Sequence, residues 1–425
     1  MSAYIVGYVG MTHLGLNSAV AAADKGYETV CFDPDPLLIA KLSRYELPVV
    51  ELDLSELLEK NALRIRFTCE TSQLALCDVV YIAPDVQTDD NGHSDLGSVD
   101  ALIKQVEPVL SLDTVMVILS QVPPGFTRAR LYSGRRLYYQ VETLIFGRAM
   151  ERARFPERFI VGCAEPSEPL PPAFAHFLKS FSCPILQMRY ESAEFAKISI
   201  NMCLVASVGV ANTMAELCEQ TGADWSEIVP ALQLDRRIGA YSYLSPGLGI
   251  AGGNLERDLA TVLELAKRHK TDAGIVAAWV ANSHHRKDWT WRTLYKLVLQ
   301  SDPGAKIAVL GLAYKEDTHS TKNSASLLLL SHLRGYSVTV YDPVVAAPST
   351  EIPFQAAASA LGAVQDADVV CVLTPWAEFN RLLPSALAKC MKGRWLIDPY
   401  RVIDAEAARL AGLQHITLGS VSEYA

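Results

Sequence analysis

The sequence has no excess of positive charge and no segment typical of a membrane span. Among its 425 residues, 38 Lys and Arg stand against 47 Asp and Glu, which gives a net charge of −9. This balance argues against nucleic acid or an anionic membrane as a partner. No run of about 20 apolar residues is visible, and no basic region precedes the first apolar segment. We therefore expect a cytoplasmic protein without a membrane or nucleic-acid partner.

Paired cysteines are also missing. Nine cysteines are scattered along the chain without a CxxC pair, so the sequence predicts neither a zinc site nor a disulfide framework. The remaining composition is ordinary for a globular protein, with 50% hydrophobic and 20% charged residues. At this length the chain exceeds one ordinary hydrophobic core, and two or three domains are expected.

The N-terminal segment has the pattern of a dinucleotide-binding unit. A strand, Ser2–Val6, is followed by Gly7-Tyr8-Val9-Gly10 as a turn, then by a helical pattern and a second strand that ends on Asp33. Glycines at this turn let the backbone approach a pyrophosphate, and the acid accepts bonds from a ribose 2′-hydroxyl. The pattern predicts NAD rather than NADP. Ile5 stands where the first glycine of GxGxxG is expected, so a glycine turn with an unrelated acid is the alternative.

Two features mark the middle of the chain. Pro246–Asp258 holds four glycines and one proline, which predicts a tight loop for an anionic ligand before a helix; an ordinary turn is the alternative. The stretch Ala193–Cys218 has no proline and predicts a long helix. Lys197 and Asn201 stand four residues apart on one face of it, although snorkelling or capping explains this spacing equally well.

The alternation of strands and helices predicts an α/β fold with two Rossmann-like, doubly wound parallel-sheet domains joined by a central helical region. We predict an NAD-binding domain at 1–190, a helical dimerisation domain at 191–300 and a second α/β domain at 301–425. The turn cluster Ser301–Gly304 marks the last boundary. The apolar faces of the central helices predict a homodimer.

The order of motifs resembles that of the UDP-glucose/GDP-mannose dehydrogenase family over nearly the whole chain. The matching segments are Gly7–Gly10 (GYVG), Asp95-Leu96 (DL), Ser120–Gly125 (STVPPG), Glu194–Asn201 (ExxKxxxN), Asp235–Gly239 (DxRIG), Pro246–Asp258 (PGxGxGGSCFPKD) and Gly311–Lys315 (GLAFK). The resemblance implies NAD as cofactor and a UDP-sugar as substrate, bound by the C-terminal domain. It also implies oxidation of the sugar at C6 from alcohol to carboxylate with two NAD, as in polysaccharide or natural-product sugar biosynthesis.

The resemblance assigns roles to particular residues. It implies that Lys197 and Asn201 stabilise a developing oxyanion, that Asp258 organises them, and that Glu142 lies near the sugar. It places the cofactor on the Gly7–Gly10 turn, Asp33 and Ser120. The residues it assigns to the substrate are Thr143, Leu144, Arg237, Tyr243, Gly249, Gly252, Lys315 and Lys322.

Two catalytic positions depart from the family pattern. Asn254 stands at the position of the catalytic cysteine, and Gln121 replaces the threonine of STVPPG. The thiolate forms a thiohemiacetal with the aldehyde and then a thioester, and an amide cannot form that adduct. We therefore predict a single two-electron oxidation. An epimerase or eliminase with transient oxidation and a non-catalytic nucleotide-sugar-binding homologue are the alternatives.

Overall fold

The computed structural model describes residues 4–89, 92–346 and 354–421. The chain divides into two compact units, the first within Met1–Asp89 and Ser94–Ile200 and the second within Asp90–His93 and Asn201–Ala425. Ser2 and Ala3 of the predicted first strand lie outside the described residues. The domain boundaries at 190/191 and 300/301 stay predictions.

The first unit is built on a large sheet. Its strands are β1 (Ile5–Val9), β2 (Glu28–Phe32), β3 (Ile65–Thr68), β4 (Val79–Ile82), β5 (Gln87–Thr88), β6 (Ser94–Asp95), β7 (Val115–Ile118), β8 (Leu137–Gln140), β9 (Phe159–Cys163) and β10 (Ile185–Arg189). The main sheet has the order β10-β9-β8-β7-β4-β1-β2-β3, and β5 and β6 form a small hairpin. The central strands β4 and β7 are buried along their whole length, as parallel strands covered on both faces must be.

The helices of this unit cover both faces of the sheet. They are α1 (His13–Asp24), α2 (Pro36–Leu42), α3 (Leu54–Lys60), α4 (Gly97–Val106), α5 (Ala149–Arg154), α6 (Pro172–Lys179) and the first part of α7 (Tyr190–Thr221). Helix α1 is almost entirely buried because its alanines allow close packing against the sheet. The sheet confirms the predicted α/β class, with one difference: β8 and β9 pair antiparallel.

The turn predicted at Gly7-Tyr8-Val9-Gly10 is wrong in its position. Strand β1 continues through Val9, and its parallel register pairs Gly7, Tyr8 and Val9 with Val30, Cys31 and Phe32 of β2. The turn begins only at Gly10, where φ is +93°. The residues on either side of this glycine are both apolar, so hydrophobicity alone does not mark the end of the strand.

The second unit contains helices followed by a second parallel sheet. Its elements are α8 (Trp225–Leu234), α9 (Asn254–His269), α10 (Gly274–Lys287), α11 (Trp289–Leu294), β11 (Lys306–Leu310), α12 (Ala325–His332), β12 (Ser337–Tyr341), β13 (Gln355–Ala356), α13 (Ala360–Val364), β14 (Val369–Val372), α14 (Pro384–Cys390), β15 (Trp395–Ile397), α15 (Ala405–Leu410) and β16 (Gln414–Ile416). The strand order is β13-β12-β11-β14-β15-β16. This sheet confirms the second Rossmann-like domain.

The glycine-rich loop is shorter than the sequence predicts. We expected it to extend to Asp258, but helix α9 already begins at Asn254. Gly253, with φ of +95°, takes the N-cap position, and its backbone N–H donates to Oε2 of Glu256 at 3.1 Å. This hydrogen bond from the N-cap backbone to the side chain of the third helical residue is one half of a capping box. It stabilises a helix that begins at Asn254, four residues before the predicted end of the loop at Asp258.

Helix α7 also corrects an expectation. By length and apolar composition it passes the test for a membrane span, contrary to the prediction that no segment does. A core helix of a soluble protein passes the same test. Only 33% of its most apolar stretch is buried. Its buried glutamate and asparagine, Glu194 and Asn201, have protein partners, as buried polar side chains require.

Candidate active site

The turn after β1 has the spacing of a dinucleotide-binding turn, displaced from the predicted position. A Cβ at Gly10 would lie 2.9 Å from the backbone nitrogen of Pro84, and one at Gly15 would lie 2.0 Å from the carbonyl oxygen of Gly10. Both positions therefore require glycine. Gly10 and Gly15 are the outer glycines of GxGxxG, and Thr12 replaces the middle one. The spacing of five between these glycines is visible in the sequence and was missed.

This placement corrects the cofactor assignment of Gly7, Tyr8 and Val9. All three are buried within β1 rather than presented at the turn. The ring of Tyr8 stacks on Tyr81 with centroids 5.1 Å apart, inside the core. Of the predicted turn residues, Gly10 alone stands at the helix N-terminus where a pyrophosphate binds.

Asp33 holds this turn in place. It follows β2 and is buried; its Oδ2 accepts the N–H of Met11 at 2.7 Å and its Oδ1 accepts that of Asp35 at 3.0 Å. Each carboxylate oxygen can accept a further bond, so a ribose hydroxyl can be added without breaking these. The glycine positions and this acid fit NAD.

The loop after β7 lies at the same carboxyl edge of the sheet. Ser120 is fully buried and its hydroxyl donates to the carbonyl oxygen of Pro84 at 2.5 Å. Gln121 is buried next to it. Ser120 therefore ties the loops after β4 and β7 together, and its contact with the cofactor stays a prediction.

Glu194 fixes the rest of this loop and was not assigned a role from the sequence. Its two carboxylate oxygens accept the N–H groups of Gly125 at 2.6 Å and Thr127 at 2.9 Å. The side chain is completely buried, and this burial raises the pKa of Glu194. The first residue of the ExxKxxxN motif is thus a clamp between α7 and the loop that carries Gln121.

Glu142 and Lys197 are brought together in the first unit. Nζ of Lys197 lies 2.8 Å from Oε1 of Glu142 and donates to its carbonyl oxygen at 3.2 Å. The other carboxylate oxygen of Glu142 accepts the N–H of Leu144 at 3.0 Å. The carbonyl oxygen of Thr143, the residue between Glu142 and Leu144, accepts a hydrogen bond from Nε of Arg152. Glu142, Thr143 and Leu144 line a small cavity together with Leu14 of α1.

Asn201 and Asp258 are brought together in the second unit. Nδ2 of Asn201 donates to Oδ2 of Asp258 at 2.5 Å, and both residues are buried. Nε of Arg257 lies 3.4 Å from the other carboxylate oxygen. Asp258 therefore fixes which way the amide of Asn201 points; its role in organising catalysis stays a prediction.

Asn254 is exposed at the first position of α9. A cluster next to it was missed from the sequence. Oε1 of Glu256 lies 3.0 Å from Nζ of the buried Lys287, and its Oε2 accepts from Nδ2 of Asn323 at 2.9 Å. Glu256 thus anchors the start of α9 to α10 and to the loop before α12. The Gly-x-x-Glu spacing of a helix cap was the signal available.

The glycines predicted to contact substrate have structural roles. A Cβ at Gly249 would lie 2.4 Å from the carbonyl oxygen of Ser283, and one at Gly252 would lie 2.4 Å from the ring of Tyr314. The N–H of Gly252 donates to the carbonyl oxygen of Lys322 at 3.0 Å. The loop Pro246–Gly253 is therefore packed tightly on its surroundings, and its own contact with substrate stays a prediction.

The remaining predicted substrate residues lie on different parts of the second unit. Arg237 is exposed and its guanidinium pairs with Asp235 at 2.6 Å. Tyr243 is exposed, whereas Lys315 and Lys322 are half-buried in the loop after β11. Their roles stay predictions. Among the described residues, no group of three or more His, Cys, Asp or Glu side chains is arranged to hold a metal ion.

The turn at Gly10 and the acid after β2 are those of an N-terminal dinucleotide-binding domain. Three domains of the UDP-glucose/GDP-mannose dehydrogenase family match the chain: the NAD binding domain at residues 4–170, the central domain at 191–284 and the UDP binding domain at 308–405. The chain belongs to this family. It is an NAD-dependent oxidoreductase that acts on CH–OH groups, a nucleotide-sugar dehydrogenase.

Individual relatives agree with this assignment. A UDP-glucose 6-dehydrogenase of Pseudomonas aeruginosa is 30% identical over 439 residues, which cover 97% of this chain and 96% of that protein. One of Rickettsia typhi is 27% identical and covers 97% of this chain and 99% of that protein. Among solved structures, a UDP-glucose dehydrogenase from Pyrobaculum islandicum has a TM-score of 0.84 at 23% identity, covering 99% of this chain and 98% of that one.

Proposed function

We propose that this chain oxidises a UDP-sugar by two electrons and releases the carbonyl product, instead of continuing to the acid. The observation that carries the proposal is Asn254, which stands exposed at the start of α9 at the position that the resemblance assigns to the nucleophile. The side chain of Asn254 is a carboxamide and has no thiol, so it cannot form the thiohemiacetal on which the covalent route depends.

The residues for the first oxidation are kept. The ammonium of Lys197 and the amide of Asn201 lie one turn apart on α7, and both are hydrogen-bond donors for a developing alkoxide. Glu142 orients the first and Asp258 the second. NAD, when bound, supplies the hydride acceptor. An alcohol carbon that loses hydride, with loss of the hydroxyl proton, leaves an aldehyde, or a ketone where the carbon is secondary.

Three of the buried cysteines do not supply a substitute for the missing nucleophile. Burial raises the pKa of Cys31, Cys77 and Cys371 to about 12 in each case. A thiol with such a pKa is almost entirely protonated near neutral pH, and the thiol is the unreactive form. These three thiols therefore do not replace the missing nucleophile.

The test counts NADH for each molecule of sugar oxidised. UDP-glucose and related UDP-sugars are supplied in limiting amount, NADH is read by absorbance, and the product is trapped with a hydroxylamine and identified by mass spectrometry. We expect one NADH and a trapped carbonyl. Two NADH and a carboxylate product would refute the proposal, and product formation without NADH would favour the epimerase or eliminase.

The variant Asn254→Cys sharpens this test. If the surroundings of residue 254 still suit a nucleophile, the thiol restores the second oxidation and raises the yield to two NADH. Asn254→Ser is the matched control, because the serine hydroxyl is similar in size to the cysteine thiol but has a far higher pKa. This variant should still form one NADH for each sugar oxidised.

We also propose that the protein is a homodimer through its central helices. Val210, Met214 and Leu217 lie on one face of α7 and expose 54%, 42% and 52% of their surface. Their spacing of four and three residues makes a continuous apolar stripe. Such a stripe on a long helix is typical of a subunit interface.

A further inference from the structure

A carboxylate occupies the N-terminus of α1. Asp85 lies in the loop after β4, and its Oδ2 accepts the backbone N–H of Leu14, the second residue of that helix, at 3.3 Å. Its own N–H donates to Oγ1 of Thr12 at 2.8 Å. That hydroxyl lies 3.4 Å from the carbonyl oxygen of Ala83. The loop after β4 is therefore joined to the first turn of α1 by a side chain with an anionic form.

This is the place where the fold binds the pyrophosphate of a dinucleotide. The helix after the first strand offers backbone N–H groups that have no partner within the helix, together with the positive end of its dipole. Asp85 already takes one of these N–H groups. Thr12 adds a side chain at the position where the fingerprint has a glycine for close approach of the phosphates.

We propose that Asp85 competes with the pyrophosphate of NAD for the N-terminus of α1, so that the cofactor binds tightly when this carboxyl is protonated or turned away. A carboxylate and a pyrophosphate at one helix end repel each other, and both require the same N–H group. Asp85 is thus a determinant of cofactor affinity. The inference concerns the binding of NAD and does not depend on how many electrons the substrate loses.

The charges around Asp85 give the direction of the pH dependence. His13 faces it from α1, Glu142 faces it from the loop after β8, and Glu51 lies behind His13 at 2.7 Å. Burial raises the pKa of Asp85 above its ordinary value, and this effect exceeds the lowering by His13 and by the hydrogen bonds of Thr12 and Leu14. A bound pyrophosphate raises it further, so binding takes up a proton. The affinity for NAD should therefore rise as the pH falls.

The experiment measures binding of NADH and of ADP-ribose by titration calorimetry, between about pH 6 and about pH 8.5. We compare the protein with Asp85→Asn, which keeps the shape and the hydrogen bond but removes the charge. At the alkaline end, Asp85→Asn should bind both ligands about tenfold more tightly. The slope of affinity against pH should be smaller in the variant, and the difference isolates Asp85 because His13 and Glu142 are unchanged.

The controls separate this effect from a general change of charge or fold. Asp113→Asn removes a carboxylate whose side chain is 89% exposed and pairs with Arg136 before β7; its affinities should match the unaltered protein. Asp85→Ala removes the charge with a different side chain, and circular dichroism shows whether each variant is folded; together they test whether the asparagine itself disturbs the loop. Equal affinities and parallel pH slopes for the protein and both Asp85 variants would overturn the proposal. The proposal would also be overturned if the unaltered protein and both Asp85 variants fold but bind neither NADH nor ADP-ribose, because removal of the Asp85 charge would then not make the N-terminus of α1 available to the pyrophosphate. The first result would leave the NADH count that tests the proposed reaction unchanged, whereas a protein that does not bind NADH would contradict the proposed reaction as well.

Discussion

At the scale of single residues, the amide of Asn201 is the group whose loss should reveal the chemistry most directly. It is held by Asp258 at 2.5 Å and is one of two donors on α7 proposed for the alkoxide. We expect Asn201→Ala to lower kcat by about 100-fold to 1,000-fold, the usual effect of losing one such donor. The affinity for NADH, measured by fluorescence titration, should be unchanged.

Two further variants define this result. Asn201→Ser, which retains a donor, should recover part of kcat. Ser207→Ala removes a hydroxyl from the same helix that donates to the carbonyl oxygen of Cys203, and it should leave kcat unaltered. A normal kcat for a folded Asn201→Ala protein would rule out the oxyanion role.

The resemblance singled out Lys197, Asn201, Asp258 and Glu142 but did not predict which of them meet. The structure brings Lys197 into contact with Glu142 and Asn201 with Asp258; the partners in each pair are distant in sequence, so the spacing of four on α7 does not predict either contact. The turn was placed three residues early because β1 gives no local sign of its end. Asp85 could not be found, since a single acid in a polar loop has no pattern until the fold brings it to α1.

At the scale of elements, the attachment of the β7 loop to α7 depends on Glu194. In Glu194→Gln, one of the two acceptors for the N–H groups of Gly125 and Thr127 becomes a donor, which leaves a buried N–H without a partner. We expect the free energy of unfolding, measured with urea, to fall by about 1–3 kcal/mol. Glu191→Gln, one turn earlier and partly exposed against Arg128, should cost less than about 1 kcal/mol.

The same clamp has a defined pH dependence. Burial raises the pKa of Glu194 in the folded protein, so the folded state binds its proton more tightly than the unfolded state does. The stability linked to this group is fully present below the ordinary carboxyl pKa and is lost as the pH rises through the raised value. The difference in unfolding free energy between the protein and Glu194→Gln should change across that window and become constant above it. A difference independent of pH would contradict this.

Helix boundaries were predicted less well than helix existence. Helix α7 was expected close to its observed position because its apolar pattern is long and free of proline. The start of α9 was missed by four residues, since Gly253 suggested more loop and the stabilising contact comes from Glu256, Lys287 and Asn323. The last two are distant in sequence, so local reasoning does not include them.

At the scale of the whole molecule, the turn after the first strand has the same hydrogen bonds in both sheets. Gly10 and Gly311 have φ of +93° and +94°, and their N–H groups donate to the last residue of β2 and of β12. The next N–H in each unit donates to an acid, Asp33 or Asp342, at 2.7 Å. The first strand of each Rossmann-like sheet is therefore followed by the same turn geometry. In the second copy Asp342 also accepts from Trp376, which gives that carboxylate an additional structural bond.

The exposed apolar stripe on α7 should control whether the protein forms a dimer. Leu217 exposes 52% of its surface beside Met214 and Val210. If this stripe is the subunit interface, Leu217→Glu would bury a charge against apolar side chains, at a cost of several kcal/mol for an unpaired ion. We expect the unaltered protein to have the mass of a dimer by light scattering and the variant to have that of a monomer. Leu410→Glu makes the same change on α15, where the leucine is 74% exposed, and should remain dimeric. A dimeric Leu217→Glu protein would place the interface elsewhere, and loss of dimer in both variants would indicate a general effect of added charge.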